Sequence, residues 1–149
     1  MSAARRISSL LAGLMLCSTV ALGAAPGTLI VLGTKVDPGS PNFERDVKAA
    51  ARTQLGKDNA DNWHLSFVAY LKRPPGAEEV NLVFYDTTPK REYINSYPIR
   101  AKATAKIILS EVDLRPEDGF KPGNKYQVLI TRLIDGKEDI YARTQVELK

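Results

Sequence analysis

Trp-His-Leu-Ser-Phe-Val-Ala-Tyr-Leu, residues 63–71, is the stretch of sequence that decides the fold. Every second residue from Trp63 to Leu71 is apolar, which is the two-residue period of a β-strand. An antiparallel strand with one solvated face carries polar side chains at the positions in between. Val68 and Tyr70 stand there instead, so we expect another part of the chain to cover the second face of this strand.

Further strand segments lie on both sides of this stretch. Residues 28–32 form a short run rich in β-branched side chains, and residues 80–85 alternate after the Pro-Pro-Gly break at 74–76. A strand is expected near 103–113 and a shorter one near 92–97. The best-defined pair is the final hairpin, residues 125–133 and 138–148.

The register of the final hairpin follows from the length of its loop. A two-residue loop, Asp135-Gly136, would place Ile130 opposite Tyr141 and mix the two faces of the hairpin. A three-residue loop, residues 134–136, pairs Ile130 with Ile140 and keeps apolar residues on one face. The sequence therefore predicts the three-residue loop.

One amphipathic helix is predicted from about Pro41 to Leu55. Ser40 followed by Pro41 is typical of a helix start, because proline fits the first helical turn. Apolar residues recur with helical spacing from Phe43 through Val47. This helix is the nearest candidate to cover the second face of the strands.

The first 23 residues have the order of a secretory signal peptide. Arg5 and Arg6 supply the positive charge, residues 10–17 form an apolar core, and small residues lead to a cleavage point after Gly23. We therefore predict a signal peptide at 1–23 and a periplasmic or extracellular protein.

Cleavage after Ala24 fits the small-residue pattern almost as well, and two further alternatives to cleavage after Gly23 remain open. The segment could stay uncleaved as an anchor, which would be the chain's one contact with a membrane. Cys17 could instead be a lipoprotein cysteine, although Leu16 occupies the position where a small residue is expected. Cys17 is the single cysteine of the sequence, so a chain cleaved after Gly23 has no disulfide.

Residues 24–149 are expected to form a single domain, an antiparallel β-sandwich with one short N-terminal helix. The chain carries a formal charge of +4, to which Arg5 and Arg6 contribute two charges. A charge near +2 without a clustered basic face does not indicate nucleic-acid binding. Nucleic acid is therefore not among the expected partners.

The stretch from Phe120 to Tyr126, which leads into Val128, resembles the turn and strand that open the last hairpin of immunoglobulin-like modules. Tyr126 stands where the corner tyrosine of those modules often lies. The resemblance covers residues 63–149 and concerns the fold, so it implies an immunoglobulin-like β-sandwich and no particular activity.

The sequence offers little that could perform catalysis or bind a metal. His64 is the single histidine, and we expect its ring to face solvent or a neighbouring strand. Asp58, Asp61 and Asn62 lack the spacing of a calcium loop and indicate a turn. We therefore predict no enzymatic activity, no metal site and no cofactor.

Tyrosines on the predicted strands are the remaining candidate ligand-binding residues. The leading hypothesis is an exported, non-catalytic module that binds another protein or a component of the cell envelope, with pairing at a sheet edge as one mode. The alternative is a protein that binds a small ligand or a carbohydrate through a sheet face bearing Tyr70 and Tyr85.

Overall fold

The computed structural model of the protein describes residues 24–149. The predicted signal peptide at 1–23 lies outside the described residues. Within these described residues, one α-helix and eight strands make up the fold, with a short 3-10 helix before β7. Their bounds, in chain order, are β1 Thr28–Leu32, α1 Phe43–Ala50, β2 Gln54–Leu55, β3 Trp63–Tyr70, β4 Glu79–Asp86, β5 Glu92–Arg100, β6 Ile107–Leu114, the 3-10 helix Pro116–Asp118, β7 Lys125–Ile134 and β8 Lys137–Leu148.

All eight strands belong to one sheet that is nearly closed into a barrel. Its order is β5-β4-β7-β8-β1-β3-β6, with β2 beside β8. Most neighbours are antiparallel, whereas β1 and β2 each run parallel to β8. The prediction of a mostly β fold is confirmed, but the predicted sandwich is not, because β1 links the strands into a single sheet. In the described part of the chain, no helix has the length and apolar content to cross a membrane.

The alternation in residues 63–71 correctly predicts which side chains face the main core. Trp63, Leu65 and Phe67 have 0% exposed surface. Strand β4 adds its own inward row of Val80 and Phe84. Burial of such side chains contributes about 1.5–3 kcal/mol each and is the main stabilising term of the sheet.

Helix α1 is shorter than predicted, since it ends at Ala50 rather than near Leu55. Ala51 is extended and forms a bridge to Leu32. The next residues continue into β2, where Leu55 pairs with Leu148. Their backbone groups bond to strands and cannot continue a helix.

A second, smaller core confirms that α1 covers the outer face of β3. Val47 and Ala50 of α1 pack there with Leu32, Val68 and Tyr70. This explains why apolar residues occupy the second face of β3. The helix does not contribute to the corresponding face of β4.

The final hairpin corrects the predicted register. Its loop is the two-residue Asp135-Gly136, with φ of 50° and 77°, as in the turns that match the twist of paired strands. Ile130 pairs with Ala142, and the register shifts between Ile130 and Thr131. This bulge inserts Tyr141 as an extra residue and returns the apolar side chains to one face. A bulge is not visible in simple alternation, which is why the three-residue loop was predicted.

The loop before β7 forms a tyrosine corner. Tyr126 is 0% exposed, and its hydroxyl oxygen accepts a hydrogen bond from the Lys121 backbone N–H at 2.8 Å. Burial raises the pKa of Tyr126 above its ordinary value. The corner thus fixes the entry of β7 with a buried polar contact.

We expect Tyr126→Phe to lower the free energy of unfolding by about 1–3 kcal/mol, because the Lys121 N–H loses its acceptor. Urea denaturation followed by circular dichroism measures the change. Tyr93→Phe is the matched control, since Tyr93 is 54% exposed and its hydroxyl is replaceable by water. Equal losses in the two variants would contradict a structural role for the corner.

Candidate functional site

Strand β6 ends the sheet, and one of its edges is open. It pairs with β3 over eight consecutive residues, from Trp63–Leu114 to Tyr70–Ile107, without a register shift. Within residues 24–149, the backbone groups of 107–114 bond to no other segment. An edge of this kind presents a row of unpaired N–H and C=O groups.

The opposite edge, β5, is less suited to accept another strand. Pro98 lies within it and lacks an N–H. Its pairing with β4 also shifts register between Phe84 and Tyr85. Proline and bulges are common protections of sheet edges, and β6 carries neither.

Apolar side chains are exposed on the outer face of β6. Ile107 is 44% exposed and Leu109 is 37% exposed. Leu109 also lines a groove of about 310 Å³ that runs over the outer face of β6, β3 and β1 and so adjoins the open edge across β6. We call this groove and the open edge of β6 the edge groove; the residues that line the groove are Leu32, Lys35, Val36, Ser66, Leu109, Ser110 and Glu111.

His64 lies at the end of the edge groove and connects β3 to β6. Its Nδ1 lies 2.7 Å from Asp113 Oδ1, and its Nε2 lies 3.1 Å from Glu111 Oε2. Ionised carboxylates accept hydrogen bonds and cannot donate them, so both ring nitrogens must carry protons to make both bonds. Lys35 also faces Glu111, with 4.0 Å between Nζ and Oε2.

These contacts raise the pKa of His64 above 6.5, chiefly through the hydrogen bond to Asp113, while burial acts in the opposite direction. The His64 side chain is 44% exposed, so water screens the ion pairs. Because the folded-state pKa is the higher one, protonation of His64 stabilises the fold below pH 6.5. That contribution disappears as the pH rises through the folded-state pKa.

We expect the stability difference between the unmodified protein and His64→Gln to be no more than about 1 kcal/mol at low pH. It should fall towards zero at alkaline pH, because neutral His64 cannot donate to both carboxylates. Urea unfolding of both proteins at about pH 5.5 and about pH 9 measures the difference. A difference that grew with pH would contradict the raised pKa.

The acidic loop that follows β2 is a turn, as the sequence indicates. Asp58 Oδ1 accepts hydrogen bonds from the backbone N–H groups of Ala60 and Asn62. Asp61 pairs with Lys57 at 2.9 Å. Among residues 24–149, no three His, Cys, Asp or Glu side chains form a group that could hold a metal ion.

Tyr70, the first tyrosine predicted to bind a ligand, lies beneath α1. It is 7% exposed, and its hydroxyl donates a hydrogen bond to Glu44 Oε2 at 2.8 Å. Burial and the bond to Glu44 raise the pKa of Tyr70 above 10.0. In this structure its contacts serve the docking of the helix.

Tyr85, the second predicted tyrosine, lies on another part of the sheet. Strands β1, β8 and β7 separate β3 from β4 in the strand order, so the structure does not bring Tyr70 and Tyr85 to adjacent strands. Tyr85 pairs with Tyr93 on β5 and with Gln127 on β7. The guanidinium carbon of Arg91 lies 3.6 Å from the centre of its ring.

Sequence reasoning missed the two features that define these surfaces. The open edge of β6 depends on strand order, which alternation along one strand does not report. The position of Arg91 over Tyr85 depends on the path of the β4–β5 turn. One signal was present in the sequence. Ile107 and Leu109 alternate with Ile108, and this pattern predicts a strand that carries apolar side chains on both of its faces.

No known protein-family model matches this chain, and no curated protein has a significantly similar sequence.

Proposed function

We propose that this protein is an exported, non-catalytic module that binds another protein by accepting an extended segment at the edge groove. The observation that carries the proposal is the open edge of β6, which is regular, lacks proline and has exposed apolar side chains. Main-chain hydrogen bonds would supply affinity in such a complex, and the adjacent side chains would supply specificity.

The side chains of β6 indicate what the added strand would carry. Ile107 and Leu109 favour apolar residues beside the first half of β6. Glu111 and Asp113 follow on the same face and favour a basic residue beside the second half. The preferred partner is therefore an extended segment in which apolar residues precede or follow a lysine or arginine.

Synthetic peptides that carry valine at alternate positions of one half and lysine at alternate positions of the other half, with threonine between them, test this function directly, because alternate residues share a face. Peptides with glutamate in place of lysine are the charge control. We expect the lysine peptide to bind and to slow hydrogen exchange at backbone amides within residues 107–114. Slowed exchange at β5 alone, or no slowed exchange, would contradict the proposal.

A charged side chain on the edge should prevent strand addition. We expect Leu109→Lys to weaken binding of the valine–lysine peptide at least about tenfold, because lysine on an edge strand opposes pairing. Leu133→Lys is the matched control, since Leu133 is 70% exposed on β7 and the charge change is the same. Fluorescence anisotropy of labelled peptide measures both variants, and equal binding by the two would argue against the edge groove.

The proposed function gives His64 a structural role rather than a catalytic one. Its two ring nitrogens are occupied by Asp113 and Glu111 on an open strand surface.

Export through cleavage after Gly23 belongs to the same proposal. Mass spectrometry of the N-terminus of the native protein tests it, and a mature chain beginning before Ala24 or after Ala25 would contradict it.

We also propose that the sheet is organised as the two layers of an immunoglobulin-like sandwich, joined through β1. Strand order supports this division, since β1 and β8 share a single registered pair, Thr28 with Arg143. This pairing separates the two proposed layers, which are β5-β4-β7-β8 and β1-β3-β6. The tyrosine corner at Tyr126 is a second point of support. An experimental structure in which both groups continue as one smooth barrel wall would contradict the division.

A further inference from the structure

A polar row crosses the outer face of four strands, away from the edge groove. Gln145 on β8 pairs with Gln127 on β7, Gln127 pairs with Tyr85 on β4, and Tyr85 pairs with Tyr93 on β5. Directly paired residues share a face of the sheet. Three strand spacings of about 4.8 Å give the row a length of roughly 14 Å, which is longer than one sugar ring.

Arg91 lies over this row in a fixed orientation. Its guanidinium stacks on the ring of Tyr85 at 3.6 Å, and its Nε donates a hydrogen bond to Gln127 Oε1 at 3.0 Å. Among residues 24–149, its two Nη atoms form no hydrogen bond. A stacked guanidinium held in this way keeps its outer N–H groups available for a carboxylate, sulfate or phosphate.

A hollow of about 390 Å³ lies beside Arg91. Two of the lining residues are charged, Arg91 and Arg143, and within the described chain neither forms an ion pair with a carboxylate. An acidic side chain also contacts the row: Glu138 Oε2 lies 3.4 Å from the Tyr85 hydroxyl, but Glu138 does not line the hollow. The lining residues are Thr87, Arg91, Gln127, Arg143, Thr144 and Gln145.

From this arrangement we infer that the row and its hollow bind an acidic glycan, a chain of sugar rings bearing carboxylate or sulfate groups. The two guanidinium groups pair with the acidic groups. The amides of Gln127 and Gln145 bond to sugar hydroxyls, and the exposed ring of Tyr93 offers a surface on which a sugar ring stacks.

Charge and shape favour a glycan over other anionic partners. Nucleic-acid binding needs an extended basic patch or stripe, whereas two arginines among amides and hydroxyls match a ligand in which acidic groups alternate with neutral ones. A lipid surface would favour exposed apolar side chains, and on this row Tyr93 alone is a large exposed apolar group.

Isothermal titration calorimetry with galacturonic acid oligomers tests the inference, with neutral maltose oligomers as the ligand control. We expect the acidic oligomers to bind and the neutral ones to bind much more weakly. Arg91→Gln should weaken binding about tenfold or more, because charged hydrogen bonds are lost. Arg91→Lys should recover part of the affinity, since lysine keeps the charge but not the planar fork.

Arg45→Gln is the matched protein control, because it removes the same charge from a site on α1 where the side chain is 75% exposed. It should change affinity by no more than about twofold. Equal losses in Arg91→Gln and Arg45→Gln would overturn the inference in favour of a net-charge effect. Equal binding of acidic and neutral oligomers, or no binding of either, would also overturn it.

Two further measurements separate this site from other ligands and from the edge groove. Binding to phosphatidylglycerol vesicles or to duplex DNA, without binding to the acidic oligomers, would assign the face to a lipid or a nucleic acid and overturn the inference. Leu109→Lys should leave glycan binding unchanged, and Arg91→Gln should leave binding of the valine–lysine peptide unchanged. The peptide-binding proposal and the glycan-binding inference can therefore be contradicted independently of each other.

Discussion

Trp63→Ala is expected to lower the free energy of unfolding by about 3–5 kcal/mol. Trp63 is 0% exposed and is the first of the side chains that β3 sends into the main core. Its Nε1 donates a hydrogen bond to the Lys149 backbone oxygen at 2.9 Å, and the Lys57 ammonium lies 5.0 Å from the ring centre. Truncation leaves a cavity and removes both contacts. A loss of this size is a large share of the stability of an ordinary domain, which is about 5–15 kcal/mol.

Urea denaturation followed by far-ultraviolet circular dichroism measures this loss, because Trp63 is the single tryptophan and its fluorescence disappears with the substitution. Trp63→Phe is the matched variant, since it retains most of the apolar volume and loses the N–H donor. It should cost clearly less than Trp63→Ala. His64→Ala is the surface control on the same strand. If His64→Ala lowered the free energy of unfolding as much as Trp63→Ala does, the burial assigned to Trp63 would be contradicted.

Phe120→Ala is the second substitution expected to have a large effect, again about 3–5 kcal/mol. Phe120 lies in the loop between the 3-10 helix and β7, yet it is 1% exposed. Its ring packs edge-on against Phe84 with 5.2 Å between centroids, and it lies 5.3 Å from the ring of Tyr126. The loop therefore supplies part of the core, and truncation opens a cavity beside the tyrosine corner.

Thermal and urea unfolding of Phe120→Ala measure the effect, with Phe43→Ala as the matched control. Phe43 is half-buried against the smaller core, so its truncation should lower the free energy of unfolding by less. A double-mutant cycle with Phe84→Ala should show coupling of about 0.5–1.5 kcal/mol, as expected for aromatic pairs. If Phe120→Ala lowered the free energy of unfolding no more than Phe43→Ala does, the contribution of this loop to the core would be contradicted.

Local pattern was sufficient to find the strands because a strand's period is a property of its own sequence. Residues 28–32 match β1, and the alternation after Trp63 identifies the inward side chains of β3. The same reasoning overextended the helix. Residues near Leu55 have helical spacing, but their backbone groups pair with β8, and pairing between distant segments overrides a local preference.

The tyrosine prediction shows where sequence reasoning about a site reaches its limit. Tyr70 and Tyr85 both occupy outward positions on their strands, and nothing along the chain distinguishes them. Glu44 of α1 covers Tyr70, whereas Arg91 stacks on Tyr85. Which tyrosine stays accessible depends on what packs over each face.

The sequence by itself determined the strand segments and the side of β3 that faces the core, because burial of alternating apolar side chains can be read one strand at a time. Tertiary structure alone decided which strand ends the sheet and where Arg91 lies. It also decided how the bulge at Tyr141 returns the apolar side chains of the final hairpin to one face. Each of these depends on contacts between residues far apart in the chain, and no local period encodes such contacts.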